Sequence, residues 1–183
     1  MKKIILILLV CSVPGSMMAQ TETTQALQKR FADSFSLYFY KNTLRMLNQA
    51  DNKEFDELIK DIEKMKFLVI DKSKTNFAAA DYKKLVHDYK SETYEEAVTS
   101  RYQGRSFDVY LKDRKGSTLG TVVLVNDSTS LYVLDILGTI DVRQASKLFS
   151  TIDENSDIGQ KIKSFMSKDE RHKGEFKKGI QIQ

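Results

Sequence analysis

The side chains able to act as nucleophiles, bases or metal ligands are few and badly spaced. The chain of 183 residues holds two histidines, His87 and His172, and one cysteine, Cys11. His87 stands beside Asp88 in an amphipathic stretch. Neighbours in a helix point about 100° apart, so this pair is not a base with its orienting acid. His172 lies in a polar tail, and no serine occupies a Gly-x-Ser-x-Gly turn, so the parts of a serine hydrolase are missing. Zinc needs three or four ligands, and beyond the leader only these histidines and carboxylates remain. Asp51, Lys53 and Phe55 break the alternating-oxygen pattern of a calcium loop. The glycines are scattered and form no phosphate-cradling loop. The acid pairs Asp56 with Glu57, Asp61 with Glu63, and Glu95 with Glu96 read as solvated faces. Glu57 and Asp61, four apart on a helix, repel each other and are relieved by Lys53, Lys60 and Lys64. These residue types predict no catalytic site, no metal and no cofactor, with His87 on a helix surface.

Two features stand out as binding determinants. Phe35, Leu37 and Phe39 alternate with Ser36, Tyr38 and Tyr40, which reads as a strand with one buried face. The outward rings of Tyr38 and Tyr40 suit a recognition surface. In a later strand Tyr132, Leu134 and Ile136 alternate with Leu131, Val133, Asp135 and Leu137, so both faces are largely apolar. An unpaired buried carboxylate is expensive. The face of Asp135 is therefore expected to be the more accessible one, open to a partner or a second copy. Leu131, Val133 and Asp135, with Tyr38 and Tyr40, are the candidate partner-binding residues. On this reading Val133→Lys weakens association with modest loss of stability, whereas Leu134→Lys unfolds the domain.

The elements that must position these residues follow an α+β order. Leu27 and Phe31 suggest a short helix before the first strand. Asp51 and Glu54 form a capping box ahead of Phe55, Leu58, Ile59, Ile62 and Met65 at helical spacing. Phe67 to Ile70 reads as an interior strand. Tyr82, Leu85, Val86 and Tyr89 mark another helix, capped by Asn76 or Asp81. Strands at 94–103, 106–112, 119–125 and 131–137, joined by short polar turns, make an antiparallel meander. Asp141 and Gln144 open a last helix carrying Val142, Ala145, Leu148, Phe149 and Ile152. The expected sheet is mixed but mainly antiparallel, with helices packed on one face. A crossover at its start would place two strands in parallel.

The chain opens as an address label. Lys2 and Lys3 precede the apolar run Ile4 to Val10, which Pro14 and Gly15 break before Ser16-Met17-Met18-Ala19. That is a secretory signal peptide over residues 1–19, with cleavage expected between Ala19 and Gln20. The run is too short to span a bilayer, and no later segment is apolar enough to do so. Val10 is not the small residue a lipobox places before its cysteine, so Cys11 reads as a hydrophobe of the leader, and a lipoprotein is the lesser alternative. Residues 20–166 read as one domain and 167–183 as a polar tail. A mature chain without cysteine fits a bacterial envelope better than a eukaryotic secretory route. The balance of 29 basic and 25 acidic residues is not the concentrated stripe of a nucleic-acid binder.

The segment from Asn48 to about Asp157 resembles an exported bacterial family catalogued as domain of unknown function 4252. The matching residues are Glu57-Leu58-Ile59, Lys66-Phe67-Leu68-Val69, Tyr94-Glu95-Glu96, Ser106 to Leu111, Val122-Val123-Leu124-Val125, and Leu134 to Asp141 ending in Gly138-Thr139-Ile140-Asp141. These are strand cores and caps. The resemblance implies export and a small α+β domain, and it brings no active-site residue. The resulting expectation is an exported, periplasmic or secreted, non-enzymatic protein that binds an envelope partner or itself. The alternative is a periplasmic small-ligand or lipid-binding protein, its ligand lying between sheet and helices beside Phe35, Leu37 and Phe39.

Overall fold

A computed structural model describes residues 21–46, 48, 51 and 53–140. The leader, the helix expected from Asp141, the tail and His172 lie outside the described residues. Helix α1 (Glu22–Arg30) leads to strand β1 (Phe35–Tyr40), then to the short helices α2 (Lys41–Met46) and α3 (Lys53–Ile59). Strand β2 (Ile62–Asp71) and helix α4 (Ala79–Ser91) precede the meander β3 (Glu95–Tyr102), β4 (Arg105–Arg114), β5 (Ser117–Asn126) and β6 (Ser130–Gly138). The fold is α+β. Its six strands form one sheet in the order β1-β2-β6-β5-β4-β3. No helix of the described residues is long and apolar enough to cross a membrane.

Every pairing is antiparallel, so the parallel pair expected at the start does not form. The reason lies at α3, which stops at Ile59 where helical spacing had run on to Met65. Residues 62–71 instead find backbone partners on both sides: β1, with Phe39 opposite Met65, and β6, with Leu134 opposite Phe67. Ladder pairing on two edges outweighs a local helical period. Gly138 makes the corner fit. Its φ is +115°, and a Cβ there would lie 2.3 Å from the Asp61 carbonyl oxygen, which accepts the Thr139 N–H at 3.1 Å. Two of the meander's turns hold two residues each, Gln103-Gly104 and Lys115-Gly116, all with positive φ. That backbone matches the twist of the paired strands.

The register assigns every strand residue to a face, and helices cover both faces rather than one. On the first, Phe39, Met65, Phe67, Val109, Val123, Leu134 and Ile136 pack with Leu44 of α2 and Phe55, Leu58 and Ile59 of α3. On the second, Leu68, Ile70, Tyr110, Val122, Leu124, Leu131 and Val133 pack with Leu27 of α1 and Leu85 and Tyr89 of α4. Burying a Val or Leu side chain contributes roughly 1.5–3 kcal/mol, so both apolar faces of β5 and β6 demand a cover.

Candidate functional site

Polar side chains converge on the second face, beneath α1. Lys66 on β2 and Asp135 on β6 are cross-strand partners, and both are buried, Lys66 completely and Asp135 at 2% exposure. Thr21, the N-cap of α1, reaches this pair. Its backbone N–H and its hydroxyl both donate to Asp135 Oδ2, at 3.3 and 2.9 Å. The same hydroxyl accepts the Thr24 N–H at 3.0 Å. Thr24 Oγ1 in turn lies 2.8 Å from the Tyr89 hydroxyl of α4. Glu92 accepts the N–H groups of Glu22 and Thr23 at 3.3 and 2.5 Å, so carboxylates meet the positive end of the helix.

The electrostatics of this cluster are unbalanced. Burial pushes the Asp135 carboxyl above the usual carboxylate range, against the pull of the Thr24 and Thr21 hydrogen bonds and the Lys66 charge. Burial, with the Asp135 charge, also holds the Tyr89 phenol well above its ordinary value. Among the described residues Lys66 Nζ has no hydrogen-bond partner, and it lies 4.9 Å from the centroid of the Tyr38 ring.

A second cluster on the same face is complete. Asp108 accepts from the hydroxyls of Tyr82 and Thr99 and from Arg101 Nη1, the last at 2.6 Å. Burial would raise the Asp108 carboxyl, but these donors together hold it below the usual range. Burial and the same carboxylate push the Tyr110 phenol up to about 12. A donor network that satisfies one buried carboxylate is structural cement for α4, β3 and β4. Beside it, an open groove of about 420 Å³ is lined by Arg101, Gly104, Arg105, Ser106 and Asn126 among others. Its cations are engaged, Arg101 by Asp108 and Arg105 by Asp127 at 3.4 Å.

The candidate partner-binding residues divide. Tyr38 and Tyr40 are 46% and 58% exposed, on the outermost strand β1. Leu131, Val133 and Asp135 are buried, which reverses the expectation that theirs is the accessible face. Thr21, 114 residues away, offsets part of the cost of burying Asp135 by donating to it. Thr21 carried one signal, its cap-forming type just ahead of a helix; nothing local pointed from it to Asp135. The Asp108 cluster, gathered from α4, β3 and β4, had no contiguous signature either. His87 is exposed on α4, as expected. Among the described residues, no three His, Cys, Asp or Glu side chains are grouped to hold a metal.

A family model described as Domain of unknown function (DUF4252) matches residues 29–148, and the chain belongs to that family. No curated protein and no solved structure matches it.

Proposed function

We propose that this protein is an exported, non-enzymatic domain that binds an envelope macromolecule through the β1 side of its sheet, with Tyr38 and Tyr40 as contacts. The observation that carries the reading is the exposure of those rings on a strand at the sheet's margin. Each has a lysine ammonium over it: Lys66 at Tyr38 and Lys64 at Tyr40, at 4.9 and 5.8 Å. Tyr38 is also held by its hydroxyl, which donates to Gln28 at 2.6 Å. Rings fixed before binding lose little freedom on binding, which is why tyrosine recurs in recognition surfaces. The tripartite segment ending at Ala19 supports export. Packing supports a macromolecular partner over a small ligand, because Phe39 lies in the core cluster and Phe35 and Leu37 pack against it.

The test compares the processed protein with Tyr40→Ala and the Tyr38→Ala/Tyr40→Ala pair as baits in envelope extracts. The expected result is a captured species that weakens with Tyr40→Ala and disappears with the pair, while far-ultraviolet spectra stay the same. Identical capture by all three would overturn the assignment of this surface.

A further inference from the structure

Strand β1 is an edge whose two ends are flanked by opposite charges. Among the described residues it has a sheet neighbour on one side only, β2, and its six residues carry no charge. Asp33 stands just before it and Lys41 follows it directly. Both are exposed, and among the described residues neither makes an ion pair within the chain. Arg30, the nearest charge ahead of Asp33, is engaged by Asp81 at 2.6 Å. We infer that the β1 edge pairs antiparallel with the β1 edge of a second copy, joining two six-stranded sheets about a two-fold axis.

The pattern along the edge selects this occupant. Alternate residues of a strand direct their backbone groups to opposite sides, so half of those in β1 are open to another strand. A two-fold axis perpendicular to the sheet reverses the strand direction and keeps each face on its own side. The start of one β1 then meets the end of the other, which sets Asp33 against Lys41 of the second copy at both ends of the contact. Leu37 lies midway between these two charges, so the register that matches both pairs places Leu37 opposite itself at the axis. In that register Phe35 faces Phe39 and Ser36 faces Tyr38. Apolar side chains meet on the first face, where Phe35, Leu37 and Phe39 already pack. On the second face, the side of Lys66 and Leu68, a large ring meets a small hydroxyl. An unrelated strand would have to reproduce this sequence of charge and size, whereas a second copy supplies it by symmetry.

The pairing also closes. The far edge, β3, is interrupted by a register shift between Glu96 and Val98 and carries Glu95, Glu96 and Arg101, so the joined sheet does not grow beyond two copies. This contact uses the edge of β1, while the partner surface proposed above uses the rings on its second face. The joined sheet brings Tyr38 and Tyr40 of both copies onto one surface.

The test follows the purified processed protein by sedimentation velocity over a range of concentrations, with no other species present. A dimer in reversible exchange is expected, because a single six-residue edge is small beside the roughly 1,200–2,000 Å² of a stable interface. Asp33→Lys and Lys41→Asp each alter a site that occurs twice in the dimer. Each is expected to raise the dissociation constant at least about tenfold, and the two together to restore it, with far-ultraviolet spectra unchanged. Cysteine pairs read the register, since the chain's one cysteine is Cys11 in the leader. Mild oxidation should link Leu37→Cys chains across the axis and leave Tyr40→Cys chains unlinked. A chain that is monomeric at every concentration, a dimer indifferent to both charge reversals, or a double swap as weak as the singles would overturn the inference. Linkage through Tyr40→Cys and not Leu37→Cys would do the same. The two readings fail separately: lost capture from envelope extracts removes the tyrosine surface and leaves this pairing standing, while a monomeric chain that is still captured removes the pairing alone.

Discussion

Lys66→Met should stabilise the fold. The side chain of Lys66 is inaccessible, and among the described residues its ammonium has no hydrogen-bond partner. Methionine keeps the unbranched length of the stem and removes the charge, so the packing around Leu68 and Val133 need not change. Two favourable contributions are lost. The contact with the Tyr38 ring is worth about 0.5–2 kcal/mol, and the attraction that lowers the Asp135 carboxyl disappears. Against them stands the desolvation of a primary ammonium, several kcal/mol after relaxation. Replacing buried charge by apolar volume typically yields about 1–4 kcal/mol. With the offsets, a gain of about 1–2 kcal/mol is expected, near 2–8 °C in Tm for a chain of this size. Urea melts should show a higher midpoint at unchanged slope.

The pH dependence supplies a second reading of the same variant. Asp135 titrates above the unfolded carboxylate value. A carboxyl of that kind contributes stability below its unfolded pKa and loses it as pH rises through its folded pKa. Without the Lys66 charge that folded pKa moves further up, so the gain from Lys66→Met should shrink from mildly acid to neutral pH. A variant less stable than wild type by more than 1 kcal/mol, roughly, at every pH and with the same slope would refute the reasoning. It would mean that the ammonium has a favourable partner in the folded protein.

Val133→Lys and Leu134→Lys should both abolish cooperative folding in circular dichroism melts, since both positions are buried and an added ammonium costs several kcal/mol of a total of about 5–15. Gly120→Ala should cost about 1–3 kcal/mol by overpacking, because its Cβ would sit 2.6 Å from the Tyr94 hydroxyl and 3.3 Å from the Ile136 carbonyl; a urea midpoint measures it, and Gly120→Ala/Tyr94→Phe should recover part. Asp108, held below the usual range, contributes stability above the unfolded carboxylate pKa, about 3.9, and loses it as pH falls through the lower folded value. Asp108→Asn should therefore flatten the acid limb of the stability profile in melts from neutral pH downward.

The sequence was legible where neighbours along the chain decide the outcome. Phe35, Leu37 and Phe39 alternate and form β1; the meander strands fall close to their predicted places; Asp81 marks the start of α4, where its carboxylate accepts the Ala78 N–H at 2.8 Å. It was illegible where partners come from far away. Ile62 and Met65 continue a helical period, yet β1 and β6 draw them into a ladder. Asp135 is the sharpest case among the candidate site residues. A carboxylate in an apolar strand signals either water or a buried donor, and spacing cannot tell which. The donor here comes from the opposite end of the domain, so the inference about which face is accessible came out inverted.

That inversion also moves any docking surface from the middle of the sheet to its margins, and the margins differ. Strand β3 is exposed along its whole length, but it is defended. A register shift interrupts it between Glu96 and Val98, and Glu95, Glu96 and Arg101 place charges along it. Bulges and edge charges are the devices that stop a strand from accepting another. Strand β1 has neither. Its pairing to β2 runs without a shift from Phe35 to Tyr40, and its six residues carry no charge. Its outward side offers Ser36, Tyr38 and Tyr40, with lysines set over the rings. An undefended aromatic edge is an aggregation hazard unless it has an occupant. Among the described residues, β1 is therefore the edge that fits the proposed docking surface better.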